Sequence, residues 1–386
     1  MIIGVLKERK TDEHRVALLP QHVRELSRLG HLLLVEKGAG AAAGFPDADY
    51  ADATIVERAE LYDRSSLLLK VKRHLPEEVD FLRPQHVLFT YLHFDENIPP
   101  DQILSFVATG ATGVAFEWVE SDGHFPLLQP MSELTGGIYA LRAMNLLLEH
   151  AGIIGASFGS NIPRPEAVVI GCGHIGANAV RALLLAGFRV TIIDKHPETV
   201  EHRITRYLDL SSWVELRQFV QILHFDEERV GASLKLLRGA VIDADLVICA
   251  AVRRPSLPKS ACEYLIDRPT VAQMRRNRVL CDATACDRDF VETAVSSDLL
   301  NHSYTEEGVV HYNCDHIPSL AANVASRLLV EAIFPYVTDL ALGFEQAARS
   351  NAALYRGVMC HKGRLTHPYS AKKKGLPYSE LKSLLG

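Results

Sequence analysis

The sequence predicts an α/β chain built from two doubly wound parallel-sheet domains, joined by two long helices with a cleft between them. Three observations point there. Short apolar strand candidates alternate with helical patterns through the first 120 or so residues, the arrangement that gives a parallel sheet covered on both faces. A glycine-rich turn between strand and helix patterns recurs mid-chain, in "AVVIGCGHIGANAVRALLLAGFRVTIID". The length of 386 residues suits two cores, at roughly 150 residues per domain.

The elements follow in order. "IIGVL" at 2–6 is a strand candidate, and "PQHVRELSRLG" places Val23, Leu26 and Ser27 on one helical face, with Gly30 as a stop. "HLLLVE", "LLLKVK", "HVLFTYLH" and "TGVAFE" read as further strands, with helices through "LPEEVDFLRP" and "DQILSFVATG" between the last three. In "LFTYLH" alternation puts Leu88, Thr90 and Leu92 on one face and Phe89, Tyr91 and His93 on the other. A long helix is expected from about Ser132 to His150, carrying Leu134, Tyr139, Leu141, Met144 and Leu148. A second, in the apolar pattern from Pro318 to Ala348, brings the chain back, with Pro335 as a kink. The first domain is therefore expected to be discontinuous, 1–128 plus 320–386, with 129–319 forming the second.

In such sheets, ligands collect at the carboxyl ends of the strands. A right-handed crossover between "LLLKVK" and "LFTYLH" brings Lys72 and His93 out at one edge, and Arg15 in the loop after the first strand joins them there. An isolated histidine or arginine more often has a packing or surface role; the shared edge is what makes these three candidates.

The glycine turn is more specific. Gly171, Gly173 and Gly176 follow a strand, open a helix and precede a second strand that ends in Asp194, the Rossmann-like dinucleotide fingerprint. Gly171 allows the tight turn, Gly173 lets backbone approach a pyrophosphate, and Gly176 lets helix pack on strand. Asp194 accepts hydrogen bonds from the adenosine ribose and repels a 2'-phosphate, which favours NAD over NADP; Lys195 and His196 beside it weaken that preference. Later strands are expected in "DADLVICAA" and "RVLCDATACD", the second bringing Asp282 and Asp287 to the ligand edge.

Composition excludes several partners. With 41 Lys+Arg against 47 Asp+Glu and a net charge of -6, the chain has no basic footprint for nucleic acid or an anionic membrane. Apolar runs such as "ALLLAGF" fall short of the roughly 20 residues that span a bilayer, and "MIIGVLKERK" lacks a signal-peptide core. Seven scattered cysteines without C-x-x-C spacing read as reduced thiols with no metal site, and a cytoplasmic location is expected.

Taken together, "GVLKERKTDEHRVALLPQHV", "LLLKVK", "VLFTYLH", "PLLQPMSE", the glycine fingerprint, "GVVHY", "FPYV" and "RSNAALYRGVMCHKGRL" resemble the alanine dehydrogenase and transhydrogenase family nearly end to end. The resemblance implies an NAD-dependent L-amino-acid dehydrogenase that reversibly forms a 2-oxo acid and ammonia. It makes Arg15 and Lys72 the pair that hold the 2-oxo acid carboxylate and His93 the group on the reacting carbonyl or amine. Tyr91 and Met131 line the pocket, and Ser132 contacts the nucleotide. A homo-oligomer, dimer or hexamer, is expected.

The pattern breaks in two places. The family's acid/base aspartate falls at Cys286 here, with Asp287 one residue later; Asp287 is expected to take the role, with Asp282 or Asp315 as alternatives. The turn before the returning helix reads "YNCDHIPSL", where Asp315 and His316 replace an asparagine turn and resemble saccharopine dehydrogenase. Together with roughly 15 extra residues after Asp194 relative to a usual unit, this keeps two alternatives open: an opine or saccharopine-type enzyme acting on a secondary amine, with His316 in its substrate site, and a hydride-transfer subunit like the soluble part of transhydrogenase.

Overall fold

The structure is a computed structural model that describes residues 1–95, 98–252, 257–284 and 287–385. It divides into two compact units, one made of Met1–Met131 and Ser319–Gly386, the other of Ser132–Pro318.

The first unit holds an eight-stranded sheet. Its order is Arg364–Leu365, Val358–His361, Thr112–Ala115, Val87–Thr90, Leu67–Leu69, Ile2–Val5, Leu32–Glu36, Thr54–Val56. The last six run parallel, whereas the two C-terminal strands pair antiparallel. The strand Thr54–Val56 and the helix Arg58–Arg64 lie where no element was expected. The strand has three residues and the helix seven, so periodicity carried no signal for them. "LLLKVK" pairs only over Leu67–Leu69, and "HVLFTYLH" only over Val87–Thr90. The lysines and His93 therefore stand beyond the ladder, not in it.

The second unit holds a seven-stranded sheet in the order Tyr304–Glu306, Val309–Tyr312, Val279–Asp282, Leu246–Cys249, Glu166–Ile170, Arg189–Asp194, Val220–His224. All neighbours are parallel except the first pair. Alternation along the strands fills two cores. Ala167, Val169, Leu246 and Ile248 join one cluster with the helices Gln129–Ala151 and His174–Leu185, while Val168, Ile170, Val247 and Cys249 join another with Val230–Asp243. This is the doubly wound arrangement the sequence predicts.

Both long helices form, with differences. Gln129–Ala151 buries Tyr139, Ala140, Ala143, Leu146 and Leu147, whereas Leu141 and Leu148 are exposed. Tyr139, Leu146 and Leu147 share the packed face with the two alanines, and Leu141 and Leu148 lie off it. The returning pattern is two helices, Ala322–Ala341 and Phe344–Ser350; Pro335 sits inside the first, and Gly343, at φ 127°, separates them. The segment Ile317–Ala341 is, by length and composition, long and apolar enough to cross a bilayer, at a mean hydropathy of 1.3, unlike the shorter runs visible in the sequence. Its helix buries Ala325, Ser326, Leu329, Val330, Ile333 and Val337, as a core helix does.

Two adjacent glycines of Gln129–Ala151 have opposite roles. A Cβ on Gly136 would lie 2.0 Å from the Ile175 carbonyl oxygen, whereas one on Gly137 would meet nothing within 4 Å. Gly136→Ala should therefore cost about 1–3 kcal/mol or more by forcing backbone apart, while Gly137→Ala should stabilise by up to about 1 kcal/mol through helix propensity. Denaturant melts of the two variants check this.

Candidate active site

Beyond the last paired residues of two neighbouring strands, the amide N–H groups need acceptors other than the ladder. Two buried carboxylates supply them. Glu8 Oε1 accepts the N–H of Val71 at 2.6 Å and of Lys72 at 3.2 Å. Glu117 Oε1 accepts the N–H of Leu92 at 3.1 Å and of His93 at 2.5 Å, with Oε2 also 3.2 Å from Leu92 N. Each carboxylate thus fixes the backbone at a residue the sequence singled out. His93 is held at φ 53°, in the left-handed region that costs a β-carbon residue energy and persists only where its surroundings over-determine it.

The side chains around this edge are tied down in turn. Tyr91 stacks on His93 with ring centroids 5.6 Å apart, and its hydroxyl donates a hydrogen bond to the Leu127 carbonyl at 2.7 Å. Burial holds the Tyr91 phenol above its ordinary range, opposed by Arg15. Arg15 is buried and bidentate on Glu13, at 2.8 and 2.6 Å, and its Nη1 reaches the Met131 sulfur at 3.4 Å. Burial opposes the Arg15 charge, but Glu13 outweighs it and the guanidinium stays protonated. Lys72 is also buried. The first unit therefore gathers Arg15, Lys72, Tyr91, His93 and Met131.

Lys70, which shares a strand face with Lys72 in the sequence, has a separate task. It is fully buried, 2.5 Å from Glu78 Oε2 and 3.7 Å from Glu8 Oε2, and Arg58 ties Glu78 to Glu36. This ionic chain sits behind the Lys72 backbone.

In the second unit the glycine fingerprint has the geometry a dinucleotide needs. Gly171 adopts φ +83°, a Cβ on Gly176 would lie 1.8 Å from the Gly171 carbonyl oxygen, and the space in front of Gly173 is open. The helix His174–Leu185 starts there. Asp194 ends its strand, nearly buried, and accepts the N–H of Cys172 at 2.7 Å and of His196 at 2.8 Å. Ser132 lies half-buried on Gln129–Ala151. A dinucleotide fits this donor set: open backbone N–H groups for phosphates and a carboxylate at the ribose position.

Asp287 and His316 follow the adjacent parallel strands Val279–Asp282 and Val309–Tyr312. Asp287 is exposed and accepts the N–H of Ser296 at 2.7 Å; Cys286 lies outside the described residues. Asp282 is fully buried, accepts from the Thr284 N–H and hydroxyl, and burial pushes its carboxyl up to about 6. His316 is buried with Nδ1 2.7 Å from Asp315 Oδ1 and 3.5 Å from Cys314 Sγ. No metal was expected, yet these three side chains bring possible ligand atoms within 4.8 Å of one another.

Sequence reading missed Glu8, Glu13 and Glu117. All three stand inside the quoted motifs "GVLKERKTDEHR" and "TGVAFE"; for Glu8 and Glu117 an acidic residue just past an apolar strand was the available signal, whereas Glu13, in the following loop, had none.

Sequence models of the alanine dehydrogenase/PNT N-terminal and C-terminal domains match residues 4–135 and 142–368. The chain belongs to the alanine dehydrogenase/PNT family. It is 32% identical to an alanine dehydrogenase of Halomonas elongata over 395 residues, covering 100% of both chains. To that of Bacillus subtilis it is 31% identical, covering 98% of this chain and 96% of the other. A solved L-alanine dehydrogenase superposes with a TM-score of 0.81 at 28% identity, covering 97% of this chain and 99% of that one. A transhydrogenase of Sinorhizobium meliloti shares the fold, with a TM-score of 0.70 at 20% identity and coverage of 95% and 99%.

The buried carboxylate behind Lys72 gives a pH test. Glu8 ionises near 4.5 in an unfolded chain, whereas burial, opposed by Lys70, raises it to about 7 in the fold. Its contribution to stability is complete below about 4.5 and is lost as pH rises to about 7. Glu8→Gln should remove that slope, so the variant gains on wild type across this window in denaturation curves at several pH values. A wild-type slope retained in the variant would show that Glu8 is ionised throughout.

Proposed function

We propose that this protein is an NAD-dependent L-amino-acid dehydrogenase of the alanine dehydrogenase type, catalysing reversible oxidative deamination to a 2-oxo acid and ammonia. The observation that carries this reading is the strand-end cluster of Arg15, Lys72, Tyr91, His93 and Met131, held by Glu8, Glu13 and Glu117. The extended match to alanine dehydrogenases supports it.

Residues 1–128 plus 320–386 form the substrate domain in this reading, and 129–319 the NAD-binding domain. Arg15 and Lys72 hold the substrate carboxylate; Lys72 also stabilises charge developing on the substrate oxygen. His93 exchanges a proton with the reacting amine or carbonyl, for which an imidazole suits neutral pH. Tyr91 and Met131 shape the wall around a small side chain. Gly171, Gly173 and Gly176 hold the pyrophosphate of NAD, Asp194 its adenosine ribose, and Ser132 the nucleotide near the substrate. Bound NAD supplies the acceptor for the hydride that leaves the amino-acid Cα. Asp287 serves as the further acid/base, activating the water that releases ammonia.

One observation favours a second reading. The pair of buried His316 and exposed Asp315, 2.7 Å apart, replaces an asparagine turn and suits an opine or saccharopine-type reaction in which a second amino acid is the amine. His316 then belongs to the substrate site. The third alternative, a hydride-transfer subunit, has the shared fold as its support, whereas the proton-handling side chains favour an enzyme. The six described cysteines, all free and buried, suit the reducing cytoplasm. A homo-oligomer, dimer or hexamer, completes the proposal.

Lys72→Ala and His93→Ala should each abolish turnover in a screen of L-amino acids with NAD, while calorimetric NAD affinity stays near wild type. Near-normal kcat in either variant would reduce the cluster to a structural role. Asp287→Asn should cost about two to four orders of magnitude in rate. Activity comparable to wild type would move the proton-transfer role to Asp282, whose carboxyl stands near 6.

A further inference from the structure

The turns that carry Lys72 and His93 wall a cavity in the first unit that the proposed reaction does not use. Its volume is about 180 Å³. Its walls come from Arg73 and His74, which follow Lys72, from Leu92 and Phe94, which flank His93, and from the helices Pro76–Val79 and Pro100–Ala108. Leu92, Phe94, Ile98 and Phe106 belong to one buried core cluster and form the apolar side. Asp80 and Ser105, both exposed, line it where it opens to solvent. Among the described residues, Lys72, Tyr91 and His93 do not line it, so the cavity is separate from the strand-end cluster.

The polar part of the lining selects a ligand. His74 is buried, and burial, aided by Lys70 and Arg58, keeps its ring neutral. Its Nε2 lies 2.7 Å from the Tyr62 hydroxyl. The Tyr62 hydroxyl has no other hydrogen bond among the described residues, so the phenol donates to Nε2 and the neutral ring carries its proton on Nδ1. Nδ1 is buried with no acceptor among the described residues, which costs free energy that an acceptor on a ligand seated against the ring would recover. Arg73 brings a guanidinium to the same lining, where its Nη1 donates to Gln102 Oε1 at 3.3 Å. A guanidinium and a ring N–H beside an apolar wall match a carboxylate on an apolar body. A dry cavity of roughly 150 Å³ holds benzene, so a ligand of about six or seven non-hydrogen atoms fits here, with a polar end free to extend through the mouth.

We propose that this cavity is a binding site for a short branched-chain carboxylate, separate from the substrate edge. The carboxylate pairs with Arg73 and accepts from His74, and the branched body packs on Leu92, Phe94 and Phe106. Three sources share that chemistry: a simple fatty acid, a 2-oxo acid, and an amino acid whose ammonium is drawn to Asp80. The site does not depend on the dehydrogenase reading.

Calorimetric titration of the full chain with isovalerate, which has no amino or oxo group to react, tests this. Saturable binding is expected, with acetate, which lacks the branched body, and isoamyl alcohol, which lacks the charge, each weaker by about tenfold or more. Arg73→Ala should weaken isovalerate about tenfold, as should Ser105→Trp, which fills the cavity from an exposed helix position, while Lys72→Ala should change it less than about threefold. In the Lys72→Ala protein, L-leucine and its 2-oxo acid are then compared with isovalerate, and the tightest of the three identifies the source. Binding lost in Lys72→Ala but kept in Arg73→Ala and Ser105→Trp would overturn the proposal by placing the ligand at the substrate edge. Absence of saturable binding to wild type, or equal affinity for the alcohol, would overturn it as well.

Discussion

A parallel ladder that stops leaves backbone N–H groups facing inward, and in the first unit two buried carboxylates take them. Glu8 holds the amides of Val71 and Lys72, and Glu117 those of Leu92 and His93. The cost of burying a carboxylate is offset by these donors and, at Glu8, by Lys70. Because each acceptor spans two successive amides, the chain turns at a fixed point beyond the sheet. The conformation of His93 and the stack of Tyr91 on its ring follow from that constraint.

The second unit solves a different problem with the same edge. There the backbone itself must face a ligand, so the turn is built from glycine and the carboxylate of Asp194 is anchored by the turn's own Cys172 N–H. Turn and carboxylate become one rigid piece. Arg203 closes that piece from the helix Pro197–Thr205 and tempers its charge. In both units, then, an acidic side chain buried at the carboxyl edge fixes loop geometry, while neighbouring groups are left to meet the ligand.

Much of this was legible in the sequence because it rests on period and spacing. The two-fold alternation of "LFTYLH", the glycine spacing and the strand ending in Asp194 depend on local geometry alone. What escaped depends on tertiary partners. Thr54–Val56 has a strand-favouring β-branched composition, but three residues have no period to show. The expected face of Gln129–Ala151 holds at Tyr139 and Met144 but not at Leu141 and Leu148, which are left outside where Gly136 and the alanines let backbone approach. Lys70 and Lys72 look alike in "LLLKVK", and only Glu78, eight residues on from Lys70, distinguishes the buried counter-ion from the substrate candidate. Glu117 could be found only once its strand was seen beside Val87–Thr90.

In the proposed reaction the Arg15, Lys72 and His93 edge works on a free amino acid whose nitrogen leaves as ammonia. Running the reaction in reverse with a 2-oxo acid, NADH and 15N-labelled ammonium, and identifying the product by mass spectrometry, tests this directly. A primary amino acid carrying the label is expected. A product that forms only when a second amino acid is supplied, as an unlabelled secondary amine, would contradict it and give the site to the reaction suggested by Asp315 and His316.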